Sequence, residues 1–340
     1  MRHPIFLRMR EEKTIKDITM AKTSPLVKNK SAVVDGSEEN AFELVIGKQK
    51  VNLTNRNKIY FPEDNITKGM VVDYYQQMST YILPYLKGRP QSLKRNPNGI
   101  HDKGFFHKDA GEDAPPFVKR KRIYSASADK DIDYILCNDN ATLAYLNNLG
   151  CIEINPWNAT IKTLDKPDYM IIDIDPAERN NFEQVIETAI VFKSILDKAG
   201  AASFCKTSGA TGLHIYVPMA HQYLYAPVKN FAQILCMQVN EQLPKITSME
   251  RNLKKRGNDK IYLDYLQNRR GQTIAAVYSL RPQIGATVST PLLWKELKPG
   301  LSPATFTIAT VFDRVKKMGD LFKAVLGKGV DIKSCLQQLI

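Results

Sequence analysis

The sequence predicts a globular chain of mixed strands and amphipathic helices. Three observations carry that expectation. The 340 residues are 43% hydrophobic, enough to bury a substantial core. Short apolar runs bounded by Gly, Pro and Asn read as strands, and several longer segments repeat apolar residues every three or four positions, as one helix face does. No run approaches the ~18 apolar residues of a membrane span, and the N-terminus lacks the apolar core of a secretory signal. No membrane association is expected; the location expected is the cytoplasm, with the nucleoid. Cys137, Cys151, Cys205, Cys236 and Cys335 are scattered, odd in number and without a C-x-x-C pair, so they read as reduced, buried small hydrophobes. Lys and Arg number 48 against 35 Asp and Glu, a net charge of +13 that favours a polyanionic partner such as nucleic acid.

Residues 1–40 are rich in Lys, Arg, Ser, Thr and Asn without a sustained period and read as a basic, mostly disordered arm or linker. Order begins with strands at 42–46 and 51–53 joined at Gly47. Thr67 is the expected N-cap of a helix over 68–86, with Met70, Val71, Tyr74, Met78, Ile82 and Leu86 as its core face. Lys58 and Lys68 flank the Pro62-Glu63-Asp64-Asn65 loop and are either solvated or aimed at one anion. Lys94 and Arg95 precede Phe105-Phe106-His107-Lys108, where the two aromatics are core residues or a base-stacking platform. Lys119-Arg120-Lys121-Arg122 reads as a solvated strand entry or part of a surface that tracks a nucleic-acid backbone. A short helix over 140–149, stopped by Gly150, leads to a strand at 151–154.

Tyr169-Met170-Ile171-Ile172-Asp173-Ile174-Asp175-Pro176 then reads as a buried strand in which two carboxylates share one face about 7 Å apart. They are solvated acids at a strand end, or they hold a divalent metal. A helix over 182–199 and a strand at 203–206 follow. Thr207-Ser208-Gly209-Ala210-Thr211-Gly212 is either a plain hairpin turn or a loop whose backbone N–H groups face an anion, with His214 projecting beyond it. After a helix over 228–243 and a basic stretch at 251–260, a strand at 261–266 carries the lone carboxylate of Asp264. That group needs a metal or a cation, and Arg269 and Arg270 stand nearby. A strand over 273–280 delivers Arg281, and from Leu297 onward the chain reads as peripheral, with a helix near 310–318. Three strand-borne carboxylates, a Gly/Ser/His turn and scattered Lys and Arg together describe phosphoryl transfer, with two metal ions roughly 3.5–4 Å apart activating a 3′-hydroxyl.

Leu53-Thr54-Asn55 to Thr67-Lys68-Gly69, Gly88-Arg89-Pro90 to Lys94-Arg95, Phe105-Phe106, Ile172-Asp173-Ile174-Asp175-Pro176, Thr207-Ser208-Gly209 to Gly212-Leu213-His214, and Asp264-Tyr265-Leu266-Gln267-Asn268 to Tyr278-Ser279-Leu280-Arg281 occur in one order. In these motifs the sequence resembles the polymerase domain of bacterial DNA ligase D, of the archaeo-eukaryotic primase superfamily, over residues 42–298. The resemblance implies an α+β fold, a two-module primase-like core with its active site between mixed and antiparallel sheets. Residues 41–300 would form this domain and 301–340 a C-terminal helical extension packed on it. It implies a nucleotidyltransferase that adds nucleotides, ribonucleotides preferred, to DNA ends in non-homologous end joining. Asp173, Asp175 and Asp264 take the positions of catalytic metal ligands, for two manganese or magnesium ions. Ser208, Gly209, His214 and Arg281 fall where the nucleoside triphosphate binds, Lys58 and Lys68 match the pocket for a DNA 5′-phosphate, and Phe105 and Phe106 match the pair that stacks on template bases. Ku and a DNA ligase module are the partners it suggests; ligation by this chain is not expected. Two rivals are a DxD glycosyltransferase, which leaves Asp264 and the lysines without a role, and a non-catalytic DNA-end scaffold.

Overall fold

The computed structural model describes residues 41–125 and 128–340; the basic segment expected at 1–40 lies outside them. β1 (Ala41–Ile46) and β2 (Gln49–Thr54) form the expected antiparallel hairpin, turning at Gly47 with φ 61°. β3 (Ile59–Phe61) and β4 (Ile66–Thr67) lead into α1 (Lys68–Leu86), whose N-cap Thr67 accepts a hydrogen bond from Met70 N. Val71, Tyr75, Met78, Ile82 and Leu86 are buried along one stripe. Met70, expected in that face, is 46% exposed: at 100° per residue it lies at the margin of the stripe, in the first turn.

β5 (Gln91–Arg95), β6 (Phe105–His107), the hairpin of β7 (Lys119–Ser125) and β8 (Lys130–Leu136), α2 (Asn140–Asn148) and β9 (Cys151–Pro156) complete the first half. β6, β5 and β9 make a three-stranded antiparallel sheet. Lys119, Arg120, Lys121 and Arg122 are all exposed along β7. In the second half come β10 (Tyr169–Asp175), α3 (Phe182–Lys198), β11 (Phe204–Thr207), β12 (Leu213–Pro218), α4 (Tyr225–Gln242), β13 (Thr247–Ser248), α5 (Leu253–Arg256), β14 (Ile261–Asp264) and β15 (Pro291–Leu292). They build a six-stranded sheet in the order β13-β14-β10-β12-β11-β15, antiparallel except for the β13–β14 pair. α3 and α4 pack on each other and on β10. The two sheets face one another across a groove lined from both.

Two expected strands differ. The strand placed at 261–266 ends at Asp264, because its carboxylate accepts Leu266 N at 2.8 Å and bends the chain into a 3₁₀ turn. Residues 273–280 are not a strand but irregular chain with isolated bridges from Thr273 to Trp157 and from Leu280 to Val288. Side chains of α1 take over the backbone pairing there: Tyr74 donates its hydroxyl to Tyr278 O, and Leu280 N donates to the Tyr75 hydroxyl, both at 2.9 Å. The last segment, with α6 (Val311–Met318) and α7 (Ile332–Leu339), is less peripheral than its sequence suggests. Val311, Val315, Phe322, Val325, Ile332 and Cys335 belong to the main core, and the Phe322 ring meets those of Tyr85, Phe204 and Tyr216. All five cysteines are free and buried, and no helix among the described residues is long and apolar enough to cross a membrane.

Candidate active site

Side-chain alternation along β10 puts Asp173 and Asp175 on one face and Met170, Ile172 and Ile174, all buried, on the other. Register supplies the rest. Lys206 pairs with His214, His214 with Asp173, and Asp173 with Asp264, so four ionisable groups stand in one row across β11, β12, β10 and β14. Lys206 Nζ lies 2.7 Å from His214 Nδ1, and His214 Nε2 lies 3.4 Å from Asp173 Oδ1. Asp175 stands beyond this row, opposite Tyr262, at the exposed end of β10. Burial, then the carboxylates of Asp175 and Asp264, push Asp173 up to about 8, and burial also raises Asp175, opposed by the charge of Arg256. Burial and the positive charges of Lys206 and Arg281 hold His214 well below the ordinary imidazole range.

Carboxylates that repel one another this strongly suit a hard divalent cation. Among the described residues no three His, Cys, Asp or Glu groups close into a ready-made cage, and Asp264 spends bonds on Leu266 N and on Gln267 Nε2, at 2.8 and 2.9 Å. Ions of the magnesium type are usually held by one or two carboxylates together with substrate phosphates. The oxygen donors on β10 and β14 therefore fit an ion that arrives with a triphosphate.

The Ser208–Gly212 turn is braced from within. Ser208 Oγ accepts Ala210 N and Gly212 N, both at 3.0 Å, and Ser208 N donates to Gly212 O at 2.9 Å. The Ser208 hydroxyl proton is thereby left for an acceptor in the cleft. Gly212 is required because a Cβ there would lie 2.2 Å from Ile174 O. Arg281 donates from Nη1 to Ser208 O at 2.7 Å and its Nε pairs with Glu153 at 2.8 Å. Glu153 lies across the groove, in a second row with Lys94 and Phe106 on the three-stranded sheet.

The structure thus gathers Asp173, Asp175, Ser208, His214, Arg281 and Phe106 around one cleft of about 210 Å³, with Asp264 beside Asp173. Phe105 and Phe106 are 47% and 60% exposed, which removes the core reading. As strand neighbours they point to opposite faces, and only Phe106 lines the cleft. Arg95 stacks over Phe105 at 5.2 Å and Lys94 over Phe106 at 5.1 Å. Lys58 and Lys68 do not line that cleft. They meet at the start of α1, where Lys68 N donates to Lys58 O at 2.8 Å. Lys58 Nζ donates to Asn98 Oδ1 at 2.6 Å and the buried Lys68 Nζ to Thr54 Oγ1 at 3.3 Å. Burial and the charge of Lys58 bring Lys68 down to about 8. Two cations at a helix N-terminus suit an anion.

Sequence reading missed Lys206, Glu153 and Gln267. A lone charge within an apolar run, the signal that picked out Asp264, also marks Glu153 in Cys151-Ile152-Glu153-Ile154 and Lys206 in Phe204-Cys205-Lys206. Gln267 carries no such signal.

Residues 67–322 match the family described as the LigD primase-polymerase domain. The chain is 36% identical over 271 residues to the bifunctional non-homologous end joining protein LigD of Bacillus subtilis, a match covering 79% of this chain and 43% of that protein. It is 30% identical over 276 residues to the multifunctional non-homologous end joining protein LigD of Mycolicibacterium smegmatis, covering 80% and 36%. The chain thus spans less than half the length of these relatives. Its fold superposes on the polymerase domain of Mycobacterium tuberculosis ligase D, solved in complex with DNA, with a TM-score of 0.76 and 26% identity, covering 83% of this chain and all of that one. With most of its length matched in sequence and in fold, this chain belongs to the LigD primase-polymerase family and has its archaeo-eukaryotic primase-like α+β fold.

Proposed function

We propose that this protein is a metal-dependent polymerase that adds nucleotides, ribonucleotides preferred, to the 3′-hydroxyl of DNA ends during non-homologous end joining. Its setting is the cytoplasm, at the nucleoid, with Ku and a DNA ligase module as partners. The observation that carries the reading is the cross-strand row of His214, Asp173 and Asp264, with Asp175 beside it and the Ser208 turn and Arg281 on the same cleft. In this reading Asp173, Asp175 and Asp264 hold two divalent ions, manganese by preference. Bound there, the ions would activate the 3′-hydroxyl and neutralise charge on the phosphates. His214, Arg281 and Ser208 bind the triphosphate, Gly209 lets the turn approach it, and Glu153 orients Arg281. Phe106 stacks on a template base at the cleft, with Phe105 on the opposite face of the same strand.

The test is a gapped DNA with a 5′-phosphorylated downstream strand, manganese and labelled nucleotides. Addition of nucleotides to the primer, abolished by a chelator, is expected. Hydrolysis of a nucleotide sugar without extension would instead favour a glycosyltransferase.

Lys58 and Lys68 supply the 5′-phosphate pocket. Replacing both by alanine should lower the preference for a 5′-phosphorylated strand at least about 10- to 100-fold, the scale of one charge-assisted bond at about 1.5–3 kcal/mol. An unchanged preference counts against the pocket. The preference should also depend on pH. Lys68 is brought down to about 8 in the free protein; a phosphate stabilises its charged form, so binding takes up a proton above that pH. Affinity for the phosphorylated end should therefore be full below about pH 8 and weaken as pH rises through it, and a titration from pH 6.5 to 9.5 checks the sign.

A further inference from the structure

Lys58 and Lys68 stand at the two ends of a loop whose tip reaches the segment carrying Arg281. At the loop's base Lys68 N donates to Lys58 O and Gly69 N to Arg56 O, both at 2.8 Å. At its tip Pro62–Asp64 makes a 3₁₀ turn, closed by Asn65 N on Pro62 O at 3.3 Å with Asn65 at φ 51°. The Asp64 carboxylate projects from this turn and accepts Gly285 N at 2.7 Å, across 221 residues of sequence. A carboxylate on a backbone N–H makes a charge-assisted bond, roughly twice as strong as a neutral one.

Gly285 lies at the tip of a second turn, whose base is Arg281. Arg281 N donates to Thr287 O at 2.9 Å and Ala286 N to Gln283 O at 3.0 Å. Gly285 and Ala286 have φ 87° and 44°. Ala286 is a fully buried non-glycine residue in the left-handed region, a conformation that persists only where its surroundings hold it. From this turn Arg281 reaches Ser208 O, and the Thr287 hydroxyl donates to Gly209 O. The chain before Arg281 is held from the same quarter. α1 begins at Lys68, and its Tyr74 and Tyr75 bond the backbone at Tyr278 and Leu280. Arg281 is thus flanked on both sides by bonds to elements that start at the lysine pair.

We infer that Asp64 is a positioning residue that ties the loop between Lys58 and Lys68 to the turn carrying Arg281, so that a DNA 5′-phosphate on the lysines tightens triphosphate binding. The use of the tie in nucleotide binding rests on the polymerase reading; the bond itself does not. An empty pocket holds two cations near one another, and their repulsion works against the loop's arrangement. A phosphate between them removes that opposition and keeps Asp64 against Gly285. Such coupling is reciprocal, so the triphosphate equally tightens binding of the phosphorylated end.

The test compares KM for the nucleoside triphosphate on one gapped DNA, at saturation, whose downstream strand begins with a 5′-phosphate or a 5′-hydroxyl. In the wild-type protein KM should be about 5- to 10-fold lower on the phosphorylated DNA, the modest end of couplings between sites, with kcat changing far less. In Asp64→Ala the two KM values should agree, and Asp64→Asn, which keeps an acceptor oxygen for Gly285 N, should restore most of the difference. Equal KM values in a wild-type protein that extends primers overturn the inference. So does an undiminished difference in Asp64→Ala, or an asparagine variant no better than alanine.

Hydrogen exchange reads the same tie without catalysis. Phosphorylated DNA should slow exchange of the 281–287 backbone more than 5′-hydroxyl DNA does in the wild-type protein, and no more than it in Asp64→Ala. That pattern in a protein that extends no primer supports the tie and removes the polymerase reading. Primer extension with exchange and KM both indifferent to the 5′-phosphate removes the tie alone, and indifferent exchange without extension removes both.

Discussion

Asp175→Ala should slow nucleotide addition at least about a thousandfold, roughly 4 kcal/mol at about 1.4 kcal/mol per tenfold, while DNA binding and stability stay close to wild type. Asp175 is the informative choice among the three acids. Asp173 faces His214 and Asp264 accepts Leu266 N and Gln267, so removing either also disturbs its neighbours. Asp175 lies at the exposed end of β10. Its charge is raised in energy by burial and by Asp264, so its loss relieves repulsion in the metal-free protein. The effect should appear in single-turnover extension of a gapped DNA and be absent from fluorescence anisotropy with the same DNA. A variant that extends at more than about a tenth of the wild-type rate, less than about 1.4 kcal/mol from it, would take Asp175 out of the metal-holding set. Extension lost with DNA binding intact also excludes the scaffold reading, because a scaffold has no addition to lose.

Gly209→Ala is expected to damage both the site and the fold. Gly209 has φ 75°, and a Cβ there would lie 2.7 Å from Arg281 Cγ, 2.8 Å from Ser289 N and 3.1 Å from Val288 C. Arg281 has little room to yield, being held by Glu153 and by Ser208 O. The backbone of Ser289 is no freer, since its N–H donates to Ser279 O at 2.9 Å. Left-handed backbone at alanine and a forced shift of two elements together should cost about 2–4 kcal/mol, seen as a Tm lower by roughly 5–10 °C. KM for the triphosphate should rise with it, because the displaced atoms belong to Arg281. Gly111→Ala is the control: φ is 71° but nothing lies within 4 Å of the added Cβ, so it carries the backbone cost alone. Equal losses in the two variants would mean that the packing against Arg281 and Ser289 contributes nothing.

What was legible in the sequence is local. The N-cap at Thr67, the helix over 68–86, the hairpin at Gly47 and the strand carrying Asp173 and Asp175 all follow from propensities and periods spanning a few residues, and the structure has each. The spacing of Asp173 and Asp175 sufficed to put two carboxylates on one face. The motif order added the family and hence the fold. The boundaries that failed did so where distant side chains take over backbone pairing. Tyr74 and Tyr75, some two hundred residues away along the chain, bond the backbone at Tyr278 and Leu280 and replace the strand expected there.

Tertiary structure alone decided which groups meet. Lys206, His214, Asp173 and Asp264 lie on four strands, and a slip of one residue in any pairing would turn that member away from the others. No period within a single segment records that register, because it is set by how the two faces of the sheet bury their apolar sets against the helices and across the groove. The same holds for Glu153 and Arg281, which meet because the irregular 273–280 segment runs along β9, where Ala276 N donates to Ile154 O and Ile154 N to Ser279 Oγ, both at 2.9 Å, and for Phe106, whose exposure rules out a core residue. Sequence determined the kinds of chemistry this chain carries; strand register and the packing of distant segments decided where each charge finds its partner, since electrostatic and hydrogen-bond energies depend on separations of a few ångströms that only the folded chain defines.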